Sequence, residues 1–69
     1  MKIKVEKPFI VKTICNEFRV YYIEVDGGDV YVHVRSNIFN GCGYKKVHLY
    51  DLTYSSQDLV AEAMLELGM

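Results

Sequence analysis

Residues 30–36, VYVHVRS, alternate without a break, with Val30, Val32 and Val34 on one side of an extended chain and Tyr31, His33 and Arg35 on the other. Successive side chains of a strand point to opposite faces, so this is the period of a half-buried β-strand. The run 18–25, FRVYYIEV, has the same extended character and is separated from it by Asp26-Gly27-Gly28-Asp29. Two glycines between such runs mark a two-residue hairpin, because both central positions can take positive φ. That turn sets the pairing. Val25 is expected opposite Val30, Ile23 opposite Val32 and Tyr21 opposite Val34 on the core side, with Glu24 opposite Tyr31 and Tyr22 opposite His33 on the other.

After the stretch SNIFNGCG, residues 44–50 read as a fourth strand. Its apolar members Val47 and Leu49 must join the valine face, which puts Val47 opposite Val32, Leu49 opposite Val30, Lys46 beside His33 and His48 beside Tyr31. Near the start of the chain, 2–6 alternates with Ile3 and Val5 on one side, and 9–15 continues in extended form after Pro8. Proline cannot donate to a ladder, so these two runs are expected to form one kinked strand at a sheet edge. A three-residue turn at 16–18 sends Phe9 and Val11 inward, whereas a two-residue turn would send Ile10 and Ile14. The first keeps Lys12 out of the core and is preferred.

The chain closes with SSQDLVAEAMLELGM, which carries helical punctuation: Ser55 as cap, Asp58 completing a variant of the capping box, Tyr54 as a staple onto Leu59, and Gly68 as the stop. Leu59, Val60, Ala63, Met64 and Leu67 share one stripe that should lie across the valine face. The expected architecture is an α+β fold, a four-stranded antiparallel meander (ββββα) with one C-terminal helix packed on one sheet face, forming a single domain over 1–69.

Size and composition sharpen this picture. A chain of 69 residues supports one core of marginal size. It is nevertheless 51% hydrophobic, without a disulfide framework or a metal motif, so a partner protein or a second copy is expected to cover the surplus apolar surface. The net charge of −1 offers no long-range attraction to phosphate backbones or anionic lipid. No signal-like apolar core occupies the first 25 residues and no stretch is long enough to cross a bilayer, which leads to the expectation of a soluble cytoplasmic protein with no membrane partner. Cys15 and Cys42 lack CxxC spacing and read as free thiols in a reduced compartment.

One helix covers one sheet face. The other carries Tyr22, Tyr31, His33, Arg35, Tyr44, Lys46, His48 and Tyr50, with Val20 and Glu24 among them. An open antiparallel face can be a merely solvated one built from good β-formers. Clustered tyrosines with an arginine are also what interface cores favour, because aromatics supply area at low entropic cost. These eight residues are therefore the candidate surface for another protein, in a hetero-complex or a homodimer. A second reading is a single-stranded nucleic-acid platform, with bases on the rings and cations on the backbone, against which stand the few cations of that face and the intruding Glu24.

Other constellations carry less. His33 and His48 fall diagonally on adjacent strands, but two imidazoles are short of a tetrahedral set, and no metal or cofactor is expected. Asp58, Glu62 and Glu66 recur at four-residue spacing with Leu65 in the same strip, a secondary candidate surface for a basic partner groove. Cys42 has glycine neighbours that could expose its thiol, yet no base can be assigned to it, and NGCG lacks the length and the lysine of a phosphate loop. The expectation is a small non-catalytic protein-binding module, an adaptor or an inhibitor of the type phages encode, with a single-stranded nucleic-acid-binding domain as the alternative.

Overall fold

The computed structural model describes residues 1–36 and 44–69. Four strands, β1 (Lys2–Lys12), β2 (Glu17–Asp26), β3 (Asp29–Ser36) and β4 (Lys45–His48), form one antiparallel sheet in the order β1-β2-β3-β4. A 3-10 turn (Leu49–Asp51) and one helix, α1 (Tyr54–Glu66), follow. This is the ββββα arrangement the alternation implies. No helix among the described residues is long and apolar enough to cross a membrane.

The β2–β3 hairpin turns on Gly27 and Gly28, with φ of 59° and 87°, and pairs Val25 with Val30, Glu24 with Tyr31, Ile23 with Val32 and Tyr22 with His33. Positive φ at both central residues is the type I′ requirement that only residues such as glycine meet without strain. Across β3 and β4, Val32 meets Val47, His33 meets Lys46 and Tyr31 meets His48, the register that burial alone requires. Strand β4 is shorter than expected. It ends at His48, whose Nδ1 accepts the Tyr50 backbone N–H at 3.1 Å, and this cap starts the 3-10 turn that takes Leu49 and Tyr50 off the ladder.

The pairing of Tyr21 with Val34 does not form. Val20 stands opposite Val34 and Arg19 opposite Arg35, and Tyr21 is the extra residue of a bulge between Val20 and Tyr22. The physical cause lies in the phase of the apolar residues. Phe18 and Val20 have even parity, Ile23 and Val25 odd, so an unbroken strand would bury one pair and expose the other; one inserted residue lets both face inward. Val20 and Ile23 are accordingly both fully buried, and Val20 leaves the open face to which its sequence parity had assigned it. On the other side of β2 the β1 ladder breaks at the same level, between Lys4 and Phe9, around Pro8, which has no N–H to contribute.

Val11 is buried and Phe9 packs against the core, the inward pair expected of β1, although the turn lies earlier, at residues 13–16, where Thr13 N–H donates to the Asn16 carbonyl at 2.9 Å. Helix α1 closes the core with Val60, fully buried, and with Ala63, Met64 and Leu67 packed against the sheet valines. Leu59 departs from the expected stripe and is 43% exposed. The helix also begins earlier than expected. Thr53, not Ser55, is the N-cap, and Tyr54 is an exposed first-turn residue, so neither the capping box with Asp58 nor the staple forms.

The reason is Ser56, the buried polar residue of the helix. Its Oγ accepts the Lys12 backbone N–H at 2.8 Å, while Thr53 N–H donates to the Lys12 carbonyl at 2.9 Å. These two bonds satisfy the last edge position of β1, so the helix start doubles as an edge guard. At the other end, Gly68 (φ 74°) donates to the Leu65 carbonyl and Met69 to that of Met64, a Schellman stop with Met64 and Met69 both against the core.

Candidate docking face

The uncovered side of the sheet holds the predicted residues in two rows. In the first, Lys2 Nζ lies 4.9 Å from the centre of the Tyr22 ring, Tyr22 meets Tyr44 edge-on at 5.7 Å, and the Arg35 guanidinium stands 5.6 Å from the Tyr44 ring. In the second, Lys46 Nζ sits 4.3 Å over Tyr31, Tyr31 meets His48 edge-on at 5.1 Å, and Tyr50 lies against His48 at 5.2 Å. Edge-to-face rings and cations over ring faces are each mildly attractive, and together they fix side chains that would otherwise rotate freely.

Glu24 ties the rows together. Its Oε1 accepts from His33 Nε2 at 2.7 Å and lies 3.6 Å from Lys46 Nζ, so one carboxylate on β2 reaches across β3 to β4. The hydrogen bond from His33, and then the positive charge of Lys46, hold the Glu24 carboxyl below its ordinary value despite some desolvation. Glu24 thus enters the face as an internal tie rather than as a repelling charge.

The two imidazoles serve different carboxylates. His33 turns to Glu24, and His48 Nε2 donates to Asp29 Oδ1 at 3.2 Å while its Nδ1 accepts from Tyr50 N–H. With both ring nitrogens of His48 engaged, the pair does not converge on a shared ligand, and the described residues contain no group of three or more His, Cys, Asp or Glu able to hold a metal ion. The candidate nucleophile Cys42 and its NGCG stretch lie outside the described residues.

Sequence parity missed two residues of this face. The bulge moves Arg19 onto it, directly opposite Arg35, and leaves Tyr21 half-buried with its ring 5.6 Å from Tyr44. Both were readable in the parity switch between Val20 and Ile23. From β1, Lys2 and Lys4 add to the same side, opposite Glu24 and Tyr22. Among the rings of this face Tyr50 and Tyr44 are the most exposed, at 77% and 53%. On the helix side Asp58, Glu62, Leu65 and Glu66 are all exposed, Leu65 at 78%.

No protein-family model, curated protein or solved structure matches this chain. Fold and face define a two-layer α+β domain with one helix-covered side and one open side of tyrosine, histidine and cations.

Proposed function

We propose that this protein is a non-catalytic binding module that docks another protein through the open face of its sheet, acting as an adaptor or an inhibitor. One observation supports the reading above others: the rings and cations of that face are already held against one another, through Lys2, Tyr22, Tyr44 and Arg35 in one row and Lys46, Tyr31 and His48 in the other. Preorganised aromatic surface loses little conformational freedom on association, which is the main cost of building an interface from large side chains.

The ring geometry also favours a protein over a nucleic acid. Stacking a base needs an accessible flat ring, but Tyr22 and Tyr44 stand 81° to each other, Tyr31 and His48 stand 88°, and cations occupy ring faces of Tyr22, Tyr31 and Tyr44. An interdigitating protein surface fits such relief better. The single-stranded nucleic-acid reading keeps one observation in its favour, the Arg19–Arg35 pair that the bulge creates beside Lys2 and Lys4.

The test immobilises the protein, captures partners from native extract, and compares wild type with Tyr22→Ser/Tyr31→Ser. The variant is expected to lose capture while melting like wild type. Undiminished capture would move the working surface elsewhere. A labelled oligothymidylate titration at low salt separates the alternative, since a phosphate binder must show affinity there that falls steeply with added salt.

A further inference from the structure

Charge is segregated along this chain and, through the fold, across it. All eight lysines and arginines precede Val47, while the remainder carries four carboxylates, Asp51, Asp58, Glu62 and Glu66, and no cation. The fold places Asp58, Glu62 and Glu66 on α1 and Lys2, Lys4, Arg19, Arg35 and Lys46 on the open side; of the other cations, Lys7 lines a pocket beside Glu66 and Lys45 lies over Phe18. Three acids of the open side are engaged within it, Glu24 by His33 and Lys46, Asp29 by His48 and Glu17 by Lys12 at 3.9 Å, and Asp26 is exposed at the hairpin turn. The outward character of that side is cationic and aromatic.

The outer surface of α1 has the complementary chemistry. Asp58, Glu62 and Glu66 succeed one another turn by turn, all exposed, flanked by the exposed leucines Leu65 and Leu59. Like charges at four-residue spacing weaken an isolated helix, an effect that facing cations would reverse. Size agrees as well. Thirteen helical residues span roughly 20 Å, enough to cross four strands spaced about 4.8 Å apart.

We propose that the open sheet face takes the outer face of α1 from a second copy of this chain, in a head-to-tail contact. The inference rests on the reading of that face as the docking surface and names its occupant. A symmetric face-to-face dimer would bring Arg19 and Arg35 of one copy toward the same cationic row of the other, whereas the head-to-tail contact sets the carboxylates of α1 against those cations. Such a heterologous contact is not completed in a dimer, so assembly grows with concentration. A single helix on a four-stranded sheet is a small interface, and the association is weak and salt-sensitive.

Two charge reversals test it by sedimentation velocity at low ionic strength, with circular dichroism to establish that each variant is folded. Glu62→Lys/Glu66→Lys keeps the sheet face and removes its occupant; Arg19→Glu/Arg35→Glu does the reverse. Wild type is expected to gain mass with concentration and to return to monomer with added salt. Each variant alone should associate at least on the order of tenfold more weakly, and an equimolar mixture should associate again, because the unaltered sheet face of one variant meets the unaltered helix of the other.

Monomeric wild type throughout the concentration range, undiminished self-association of either variant, or a mixture without dimer would each overturn the proposal. The milder Glu62→Gln/Glu66→Gln variant gives the same reading where the lysine variant fails to fold. If wild type stays monomeric yet Tyr22→Ser/Tyr31→Ser still abolishes capture of a foreign protein, the docking face survives and the second copy alone is excluded.

Discussion

Val20 stands directly opposite Val34, and both are fully buried, although Tyr22, two residues further along β2, faces His33 on the other side of the sheet. Only the extra residue at Tyr21 reconciles the two pairings. The bulge therefore sorts β2 into core and face, and it is the reason Arg19 joins the open side of the sheet.

The sorting can be read by placing a charge on each side of the bulge. Val20→Lys should abolish the cooperative thermal transition: an unpaired buried ion costs several kcal/mol, against a total of roughly 3–10 kcal/mol for a domain of this length. Tyr21→Lys, at a half-buried position, should still unfold cooperatively. An unbulged strand would reverse these results.

Glu24 sets an acid limit on the open face. Its carboxyl titrates below the ordinary 4.5 in the folded chain, so the stability it contributes is present above pH 4.5 and is lost as pH falls through the lowered folded value. Melting curves of wild type and Glu24→Gln should accordingly differ at neutral pH and converge in acid, below 4.5. Parallel curves down to the most acidic point would mean that the tie to His33 and Lys46 contributes nothing.

The buried hydroxyl of Ser56 is the partner of the Lys12 amide at 2.8 Å, with Thr53 Oγ1 donating to it at 2.9 Å. Ser56→Ala leaves that amide unsatisfied at the guarded edge and should cost about 1–3 kcal/mol in urea unfolding. Ser55→Ala, at the exposed position that sequence punctuation favours as the cap, should cost less than half as much. Equal losses would restore Ser55 as the helix cap.

The hairpin turn separates backbone from packing effects, since a side chain at Gly27 or Gly28 would meet nothing within 4 Å. Gly27→Asn should be close to neutral, because asparagine tolerates left-handed φ. Gly28→Val, at φ 87°, should lose about 1–2 kcal/mol or more. If chemical denaturation finds the two substitutions equivalent, the turn does not require its present conformation.

Much of this protein follows from local pattern alone. The glycine pair, the unbroken valine alternation of β3 and the single candidate helix specify the hairpin, the β3–β4 register and the bare second face, because a period-two strand has no other way to bury its valines. Gly68 marks the helix stop for a similarly local reason, its positive φ. Three features waited for the tertiary structure. The bulge at Tyr21 trades one ladder position for the burial of Phe18 and Val20 together with Ile23 and Val25. The helix cap at Thr53 is settled by the Lys12 amide, 44 residues from Ser56 in sequence. The partners of Glu24 are settled by which side chains β3 and β4 bring within reach. Each is a bargain between residues distant in the chain, and local propensity contains no record of it.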